Sequence, residues 1–392
     1  MKKAEELLRK YNQEHIIPYL EKNEELQKQI LKIDFEELNK LYLKAQNSRE
    51  GALENIEPIS AINPDKLSKN EKELLMKKGS DVISQNKLAV VTMAGGQGTR
   101  LGHIGPKGTF KITIGNSEKY LFQILAENLI REGKKYGVNI PWYIMTSKEN
   151  NQETVNFLKE NEYFNYPKSD ITIFIQEEMP LLTTEGKLII EKGLIKEASN
   201  GNGSIFASME KSGVIKDMEK RGSEWIFIGS VDNVLLQMVD PLLIGVTLKD
   251  DSYVASKTIL KNAPNEKVGV FCKENGKVRV IEYTELPEEL SKELNEHGEL
   301  LFGESHIMCN LLNIEALKRA TTQEMEYHIA TKNIDGVSCY KFEKFIFDAF
   351  NMFEHISILR GKRECDFAPI KNKDGVDSPK TAVELYKNYW GI

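Results

Sequence analysis

From Leu88 onward, uninterrupted apolar runs alternate with amphipathic stretches. Leu88-Ala89-Val90-Val91-Thr92-Met93 shows no polar alternation, which is how a strand covered on both faces of a parallel sheet reads. Over Tyr120 to Tyr136, Leu121, Leu125, Leu129 and Ile130 recur at helical spacing, and Gly137 ends the run. Strands are predicted at Pro141 to Met145, Ile171 to Gln176 and Glu224 to Val231. This alternation of strands and helices is the mark of βαβ units, so the fold class is α/β with a mostly parallel sheet.

Beyond Asp232 the pattern changes. Lys267 to Cys272 and Lys277 to Tyr283 alternate around Glu274-Asn275-Gly276, and Asn-Gly between alternating runs signals a hairpin. Leu300 to Leu312 reads as a further strand through Glu304-Ser305-His306. Glu343 to Ile392 combines an aromatic-rich helix, with Phe345, Phe347, Phe350 and Phe353, and a polar tail. Before Leu88 the chain is polar and helical. Leu7, Leu8, Tyr11, Ile16, Ile17 and Leu20 fall at roughly helical spacing, and Asp34 with Glu37 resembles a capping box opening Phe35 to Gln46. A second run from about Asp65 to Lys78 ends with Gly79 in the C-cap position. The expected organisation is an N-terminal helical region at 1–85, a catalytic core at 86–345 and a short C-terminal extension at 346–392.

Composition narrows the classes. A length of 392 residues exceeds what one core usually organises. A net charge of −6 argues against nonspecific nucleic-acid binding, which needs clustered Lys and Arg. No run of 18 apolar residues occurs, and the opening Met-Lys-Lys-Ala-Glu-Glu lacks the apolar core of a secretory signal, so a soluble, cytosolic protein without a membrane partner is expected. Cysteines at 272, 309, 339 and 365 and the scattered histidines show no metal-ligand spacing.

The chemistry centres on Met93-Ala94-Gly95-Gly96-Gln97-Gly98-Thr99-Arg100-Leu101-Gly102, followed by Pro106-Lys107-Gly108. Glycines at 95, 96 and 98 remove the side chains that keep a backbone away from a ligand, so successive N–H groups can face phosphate oxygens, with Arg100 and Lys107 adding positive charge. A Walker loop would place Ser or Thr after its lysine, whereas Lys107 stands between Pro106 and Gly108. In a dinucleotide fingerprint the third glycine would fall on Leu101, and Ile144-Met145-Thr146 supplies no ribose-binding acid. A plain structural turn needs neither Arg100 nor Lys107. Asp232 follows the apolar strand in Gly229-Ser230-Val231-Asp232-Asn233, and a hard carboxylate facing a phosphate cradle suits Mg²⁺. Its competing role as a helix N-cap is better filled by Asp240, before Pro241. Gln176 ends a strand with an amide that donates and accepts. Ligands of open α/β sheets sit beyond the carboxyl ends of the strands, so the loop, Gln176 and Asp232 are expected on one edge.

The glycine stretch with Pro106-Lys107-Gly108 closely resembles the signature of nucleotide sugar pyrophosphorylases, specifically the UDP-N-acetylhexosamine pyrophosphorylase group of the UDP-glucose pyrophosphorylase family. The resemblance continues through Trp142-Tyr143-Ile144-Met145-Thr146-Ser147, Asn200-Gly201-Asn202-Gly203, Val231-Asp232-Asn233, Glu282-Tyr283-Thr284-Glu285, Phe342 to Asp348 and Phe367 to Asn372. It implies a Rossmann-like nucleotide-diphospho-sugar transferase core that joins UTP to a sugar 1-phosphate, N-acetylglucosamine 1-phosphate above others, with Mg²⁺ as cofactor.

By the same resemblance Ala94, Gly95, Gly96, Gln97, Gly98 and Thr99 line the nucleotide, Arg100 and Lys107 meet the pyrophosphate charge, Lys371 reaches the α-phosphate and Asp232 holds the metal. It places Gln176 at the base, Gly201 near the uridine and Asn202 near the sugar. It lines the sugar pocket with Gly269, Glu282 and Tyr283, and sets Phe345 and Phe347 by the acyl group. The residues alone leave Asn200 to Gly203 equally readable as a turn. One departure stands out: His306 occupies the place of an asparagine that touches the sugar in the family. Glucose 1-phosphate as substrate stays open as an alternative. A non-catalytic UDP-sugar-binding protein would be expected to lose Arg100, Lys107 or Asp232, and a glycosyltransferase would carry a D-x-D motif that is absent. Oligomeric state has no signature in the sequence.

Overall fold

The computed structural model describes residues 1–47, 53, 55–334 and 336–392. The chain forms two compact units. One consists of Met1–Leu53, Glu177–Ser204 and Met325–Ile346, and the other of Glu54–Gln176, Ile205–Glu324 and Phe347–Ile392.

The larger unit is built on a sheet that has ten strands among the described residues. They are β1 (Ile56–Pro58), β2 (Leu88–Met93), β3 (Trp142–Thr146), β4 (Ile171–Ile175), β5 (Trp225–Ser230), β6 (Val254–Leu260), β7 (Val270–Glu274), β8 (Lys277–Ile281), β9 (Glu304–Asn313) and β10 (Ser357–Arg360). Strands β4, β3, β2 and β5 lie side by side and parallel. Antiparallel β9 then carries the sheet from β5 to β7 and to β6, which pairs in parallel with β10. The apolar run Leu88–Met93 is buried at every position. Its polar member, Thr92, accepts the indole N–H of buried Trp142 on the adjacent strand at 2.8 Å, so neither group is stranded in the core. The hairpin of β7 and β8 turns through Asn275 at φ 50° and Gly276 at φ 78°, the left-handed pair an Asn-Gly turn supplies.

Helices cover the sheet as their sequences direct. Leu121–Tyr136 ends at Gly137 with φ 69°, and Asp240 caps Pro241–Lys249 by accepting from the Leu242 and Leu243 N–H groups. Gly79 is a correction. The helix runs Lys69–Ser84, straight through it, and opens at a Ser68–Glu71 capping box. Gly79 is there because the helix Pro241–Lys249 crosses at that point. A Cβ on Gly79 would lie 1.9 Å from the Pro241 carbonyl oxygen, and one on Gly245 would lie 2.0 Å from that of Leu75. The two glycines let backbone meet backbone, and a cap signal and a close-approach signal look alike in sequence. The aromatic stretch at Phe345 to Phe353 also differs from the predicted helix: it is a 3₁₀ helix, Ile346–Met352.

The smaller unit gathers the helices Lys2–Lys10, Glu24–Ile30 and Phe35–Asn47 with the antiparallel pair His328–Ile334 and Val337–Glu343. As its sequence suggests, the helix Phe35–Asn47 starts where Asp34 accepts the Glu37 N–H at 3.0 Å. Leu8, Ile16, Leu26, Ile30, Phe35, Leu38 and Leu41 bury themselves against Leu182, Leu188 and Phe342. Two glutamines clamp this core by acting as backbone substitutes. Gln13 donates to Gly186 O and accepts from Leu188 N, both at 2.8 Å, and Gln29 does the same with the O and N of Ile195, again at 2.8 Å.

Candidate active site

The strand order of the larger unit creates the site. From β2 the chain proceeds outward through β3 and β4, then returns to the opposite side of β2 to form β5. The crevice at the carboxyl ends of β2 and β5 is thus a topological switch point, where open α/β sheets take their ligands. The glycine loop leaves β2 there and Asp232 leaves β5. The Val231 N–H bonds to Met93 O at 3.1 Å and the Gln176 N–H to Thr146 O at 2.8 Å, so the strand ends stay in step past the formal sheet.

The loop closes on itself. Gly98 N–H meets Gly105 O and Lys107 N–H meets Gly96 O, each at 3.0 Å, which returns Lys107 to the first glycines. No partner is assigned to the N–H groups of Gly95, Gly96 and Gln97 among the described residues, the condition a phosphate cradle needs. The buried Gln97 Oε1 is also without a partner, and since the two ends of an amide are interchangeable in assignment, Gln97 presents a buried polar atom for a ligand to meet. Ala94 is buried, and Thr99 and Arg100 are exposed on the short turn Thr99–Leu101. A Cβ on Gly95 would stand 2.9 Å from Gln176 Oε1, so the loop lies directly against the buried Gln176. Asn150, which the sequence reading missed, braces the loop from the helix side. Its Nδ2 donates to Ala94 O at 3.1 Å and to Gly96 O at 3.4 Å, and its Oδ1 accepts from Ser147 N at 2.9 Å.

Lys107 donates to Asp232 Oδ2 at 3.0 Å. Burial pushes the Asp232 carboxyl upward, but the Lys107 and Lys371 ammonium groups, with hydrogen bonds from Lys107 and Ser230, outweigh it and hold the group below the ordinary carboxylate range. Lys371 arrives from the other end of the larger unit's sequence. Ile370 N–H bonds to Asp232 O at 2.9 Å, and Lys371 Nζ lies 3.4 Å from Asp377 and over the Phe367 ring. Lys107, Asp232 and Lys371, separated by more than a hundred residues at each step, thus form one charge cluster beside the glycine loop.

The residues assigned to the sugar divide. In the larger unit, His306 N–H bonds to Gly269 O at 2.9 Å, and a Cβ on Gly269 would stand 3.3 Å from Glu282 Oε1, so these three are neighbours. Tyr283 follows them, exposed. His306 is buried with its ring edge-on to Phe271, Phe347 and Phe350 at 5.4, 5.6 and 6.0 Å. Burial lowers its pKa from 6.5 to about 4, against a hydrogen bond to Asn310 that raises it, so the ring is neutral at pH 7. The 3.0 Å contact of Nε2 with Asn310 Oδ1 puts the proton on Nε2 and leaves Nδ1 as an acceptor.

Gly201, Asn202 and Phe345 belong to the smaller unit. Gly201 has φ 87°, and a Cβ there would fall 2.2 Å from Lys344 O. Lys344 N donates to Asn200 O at 2.7 Å, Gly203 N to Lys344 O at 2.8 Å, and Ile346 N to Asn202 Oδ1 at 2.8 Å, so this segment is laced to Lys344–Ile346 as well as being a local turn. The Phe345 ring lies tilted by 39° against the His328 ring, with centroids 4.5 Å apart.

For a metal, the donor set at Asp232 is one ionised carboxylate, and no group of three or more His, Cys, Asp or Glu gathers anywhere among the described residues. That set fits an ion that takes one protein carboxylate and completes its shell from phosphates and water, as Mg²⁺ does, and does not fit a closed structural site. No helix among the described residues is long and apolar enough to cross a membrane.

Known proteins match most of this chain. The family described as UTP–glucose-1-phosphate uridylyltransferase matches residues 33–377. The chain is 34% identical over 375 residues to UDP-N-acetylglucosamine pyrophosphorylase of Saccharomyces cerevisiae, spanning 87% of this chain and 77% of that protein. It is 33% identical over 357 residues to UDP-N-acetylglucosamine diphosphorylase 1 of Arabidopsis thaliana, spanning 83% and 70%. The crystal structure of uridine diphosphate N-acetylglucosamine pyrophosphorylase from Trypanosoma brucei, in complex with an inhibitor, superposes with a TM-score of 0.84 at 29% identity, covering 97% of this chain and 83% of that one. With the match running through nearly the whole chain and the glycine loop, Asp232 and Lys371 all inside it, the chain belongs to the UTP–glucose-1-phosphate uridylyltransferase family.

Proposed function

We propose that the protein transfers the uridylyl group of UTP to N-acetylglucosamine 1-phosphate, releasing pyrophosphate. An oxygen of the sugar phosphate forms a bond to the α-phosphorus while the bond from that phosphorus to the bridging oxygen of the β-phosphate breaks, and the electron pair leaves with pyrophosphate. The step needs no covalent nucleophile from the protein, so positioning and charge neutralisation carry it. The observation that supports this reading is the Lys107–Asp232–Lys371 cluster set beside unpartnered loop N–H groups at the switch point.

Each residue then has a task. The Gly95, Gly96 and Gln97 N–H groups hold phosphate oxygens. Lys107, with Arg100 from the exposed turn, meets the charge that grows on the departing pyrophosphate. Lys371 exchanges Asp377 for the α-phosphate. Asp232 would hold Mg²⁺, whose chemistry when bound is to neutralise and orient phosphate oxygens. Gln176, against Gly95, reads the uracil edge. Within the larger unit, Gly269, Glu282, Tyr283, His306 and Phe347 recognise the N-acetylated sugar. The setting we infer is cytosolic.

The test is pyrophosphate release from UTP and Mg²⁺ with N-acetylglucosamine, N-acetylgalactosamine and glucose 1-phosphates compared at equal concentration. The N-acetylglucosamine compound is expected to give the highest kcat/KM. A higher value for glucose 1-phosphate would replace the sugar assignment, and no release with any of them would remove the activity.

A further inference from the structure

The segment that delivers Lys371 is not part of the sheet, yet its position is defined closely, and a buried side chain shares in the defining with backbone hydrogen bonds. Asn233 is 2% exposed and uses three of its hydrogen-bonding positions on backbone. Its Nδ2 donates to Asp366 O at 2.7 Å. Its Oδ1 accepts from Ala368 N at 2.8 Å and from Leu235 N at 3.1 Å. On either side, Val234 N donates to Ala368 O at 3.2 Å and Ile370 N to Asp232 O at 2.9 Å, with Asn233 paired opposite Pro369 as an antiparallel bridge. The far end of the segment is anchored by charge: Asp366 accepts from buried Lys257 at 2.7 Å and from Lys362 N at 2.9 Å, and Lys257 also pairs with Asp240.

We propose that Asn233 is a positioning residue for the transfer reaction, which fixes the backbone leading to Lys371 against the backbone of Asp232. The two chemical groups flank this bracket, Asp232 just before Asn233 and Lys371 just after Ile370. Asp232 has a second support, since Val231 N–H continues the β2–β5 ladder to Met93 O at 3.1 Å. The 366–371 segment lies outside the named strands and is held here by the Asn233–Pro369 bridge and the hydrogen bonds of Asn233 and its two neighbours, so loosening Asn233 displaces Lys371 first. An amide is the side chain the place requires. Aspartate keeps both acceptor contacts but loses the donor to Asp366 O, and alanine removes the side-chain partner of two N–H groups and a carbonyl at a buried position.

The inference rests on the assignment of Lys371 to the α-phosphate, and a double-mutant cycle separates the two. Asn233→Asp, Asn233→Ala, Lys371→Ala and the combined variants are assayed for kcat and for KM of UTP, with thermal unfolding of each as a control on folding. Asn233→Asp should lower kcat by about tenfold or more, the scale of a misplaced catalytic group, with KM for UTP within about threefold. In the Lys371→Ala background the same substitution should change kcat by less than about twofold, because the group it positions is gone. If Asn233→Ala fails to fold, the aspartate variant carries the cycle alone. A loss of kcat that is the same in both backgrounds, or no loss in the first, overturns the positioning role of Asn233. Undiminished kcat in Lys371→Ala by itself overturns the Lys371 assignment and the inference with it.

Discussion

Lys107 and Asp232 meet at 3.0 Å although 125 positions separate them in the chain, and each side chain is more than four-fifths covered. The pair holds the two charges apart from solvent and ready for exchange: a triphosphate draws the ammonium, and the freed carboxylate oxygen becomes available to a cation. Lys107→Ala and Asp232→Asn should each reduce turnover by about a hundredfold or more, the usual scale for one preorganised electrostatic group. The Asp232 carboxyl is depressed, so its contribution to stability is complete above the unfolded carboxylate pKa and disappears as pH falls through the lower folded value. The pH–stability curves of the wild type and Lys107→Ala should therefore differ above that window and converge as pH falls through it. Superimposable curves together with undiminished turnover would make the pair ornamental.

Gln176 is buried against Gly95. A mismatched buried amide costs roughly 1 to 3 kcal/mol, so UTP should exceed CTP, ATP and GTP in kcat/KM by at least about tenfold. Gln176→Ala should narrow that ratio, mainly through kcat/KM for UTP. An ATP value equal to that for UTP in the wild type would exclude Gln176 as the reader of the base.

His306 is surrounded by Phe271, Phe347 and Phe350 and has its pKa lowered from 6.5 to about 4. The unfolded chain therefore takes up a proton that the folded chain refuses between these two values, and stability must fall as pH drops from 6.5 toward 4. Thermal midpoints of the wild type should decline across that window more steeply than those of His306→Asn. The same variant addresses the sugar: a change in the ranking of N-acetylglucosamine over N-acetylgalactosamine 1-phosphate is expected, because Nδ1 only accepts whereas an amide both donates and accepts. Identical pH dependence in the two proteins would show that His306 titrates normally.

Gly79→Ala and Gly245→Ala each place a methyl group within about 2 Å of a backbone carbonyl oxygen on the opposite helix. Overpacking against backbone that cannot rotate aside costs typically 1 to 3 kcal/mol. Denaturant midpoints should drop accordingly, while kcat of the folded fraction is retained. Unchanged midpoints would mean that the helices separate without penalty.

The parts of this architecture legible in the sequence are those whose signal is local. Leu88–Met93 announces a strand buried on both faces, Asn275-Gly276 a hairpin, Asp34 and Asp240 their helix starts, and the glycines of the loop a place where backbone must approach a ligand. Gly79 misled because glycine marks both a helix end and a helix crossing. Asn150 and Asn233 were silent, since each acts on backbone brought near by tertiary folding. Asn233 and Ala368 are 135 positions apart, and no period in the chain connects them. The pairing of Leu182–Thr183 with Val337–Glu343 was equally hidden, because two residues are too few to show alternation.

The helical unit is closed by residues that come late in the chain, and this sets an order of events on the ribosome. Leu8, Ile16, Leu26 and Phe35 emerge early, but Phe342, which completes their core, is made some three hundred residues afterwards. At ordinary rates of synthesis the delay is roughly 15 to 60 seconds, during which their shared core is incomplete. Chaperone occupancy of the nascent chain should therefore be concentrated on this first stretch and should fall once translation passes residue 346. Limited proteolysis of arrested nascent chains reads the outcome directly: residues 1–47 should be cut readily before that point and resist afterwards, and early resistance would mean that the three helices fold without the strand that covers them.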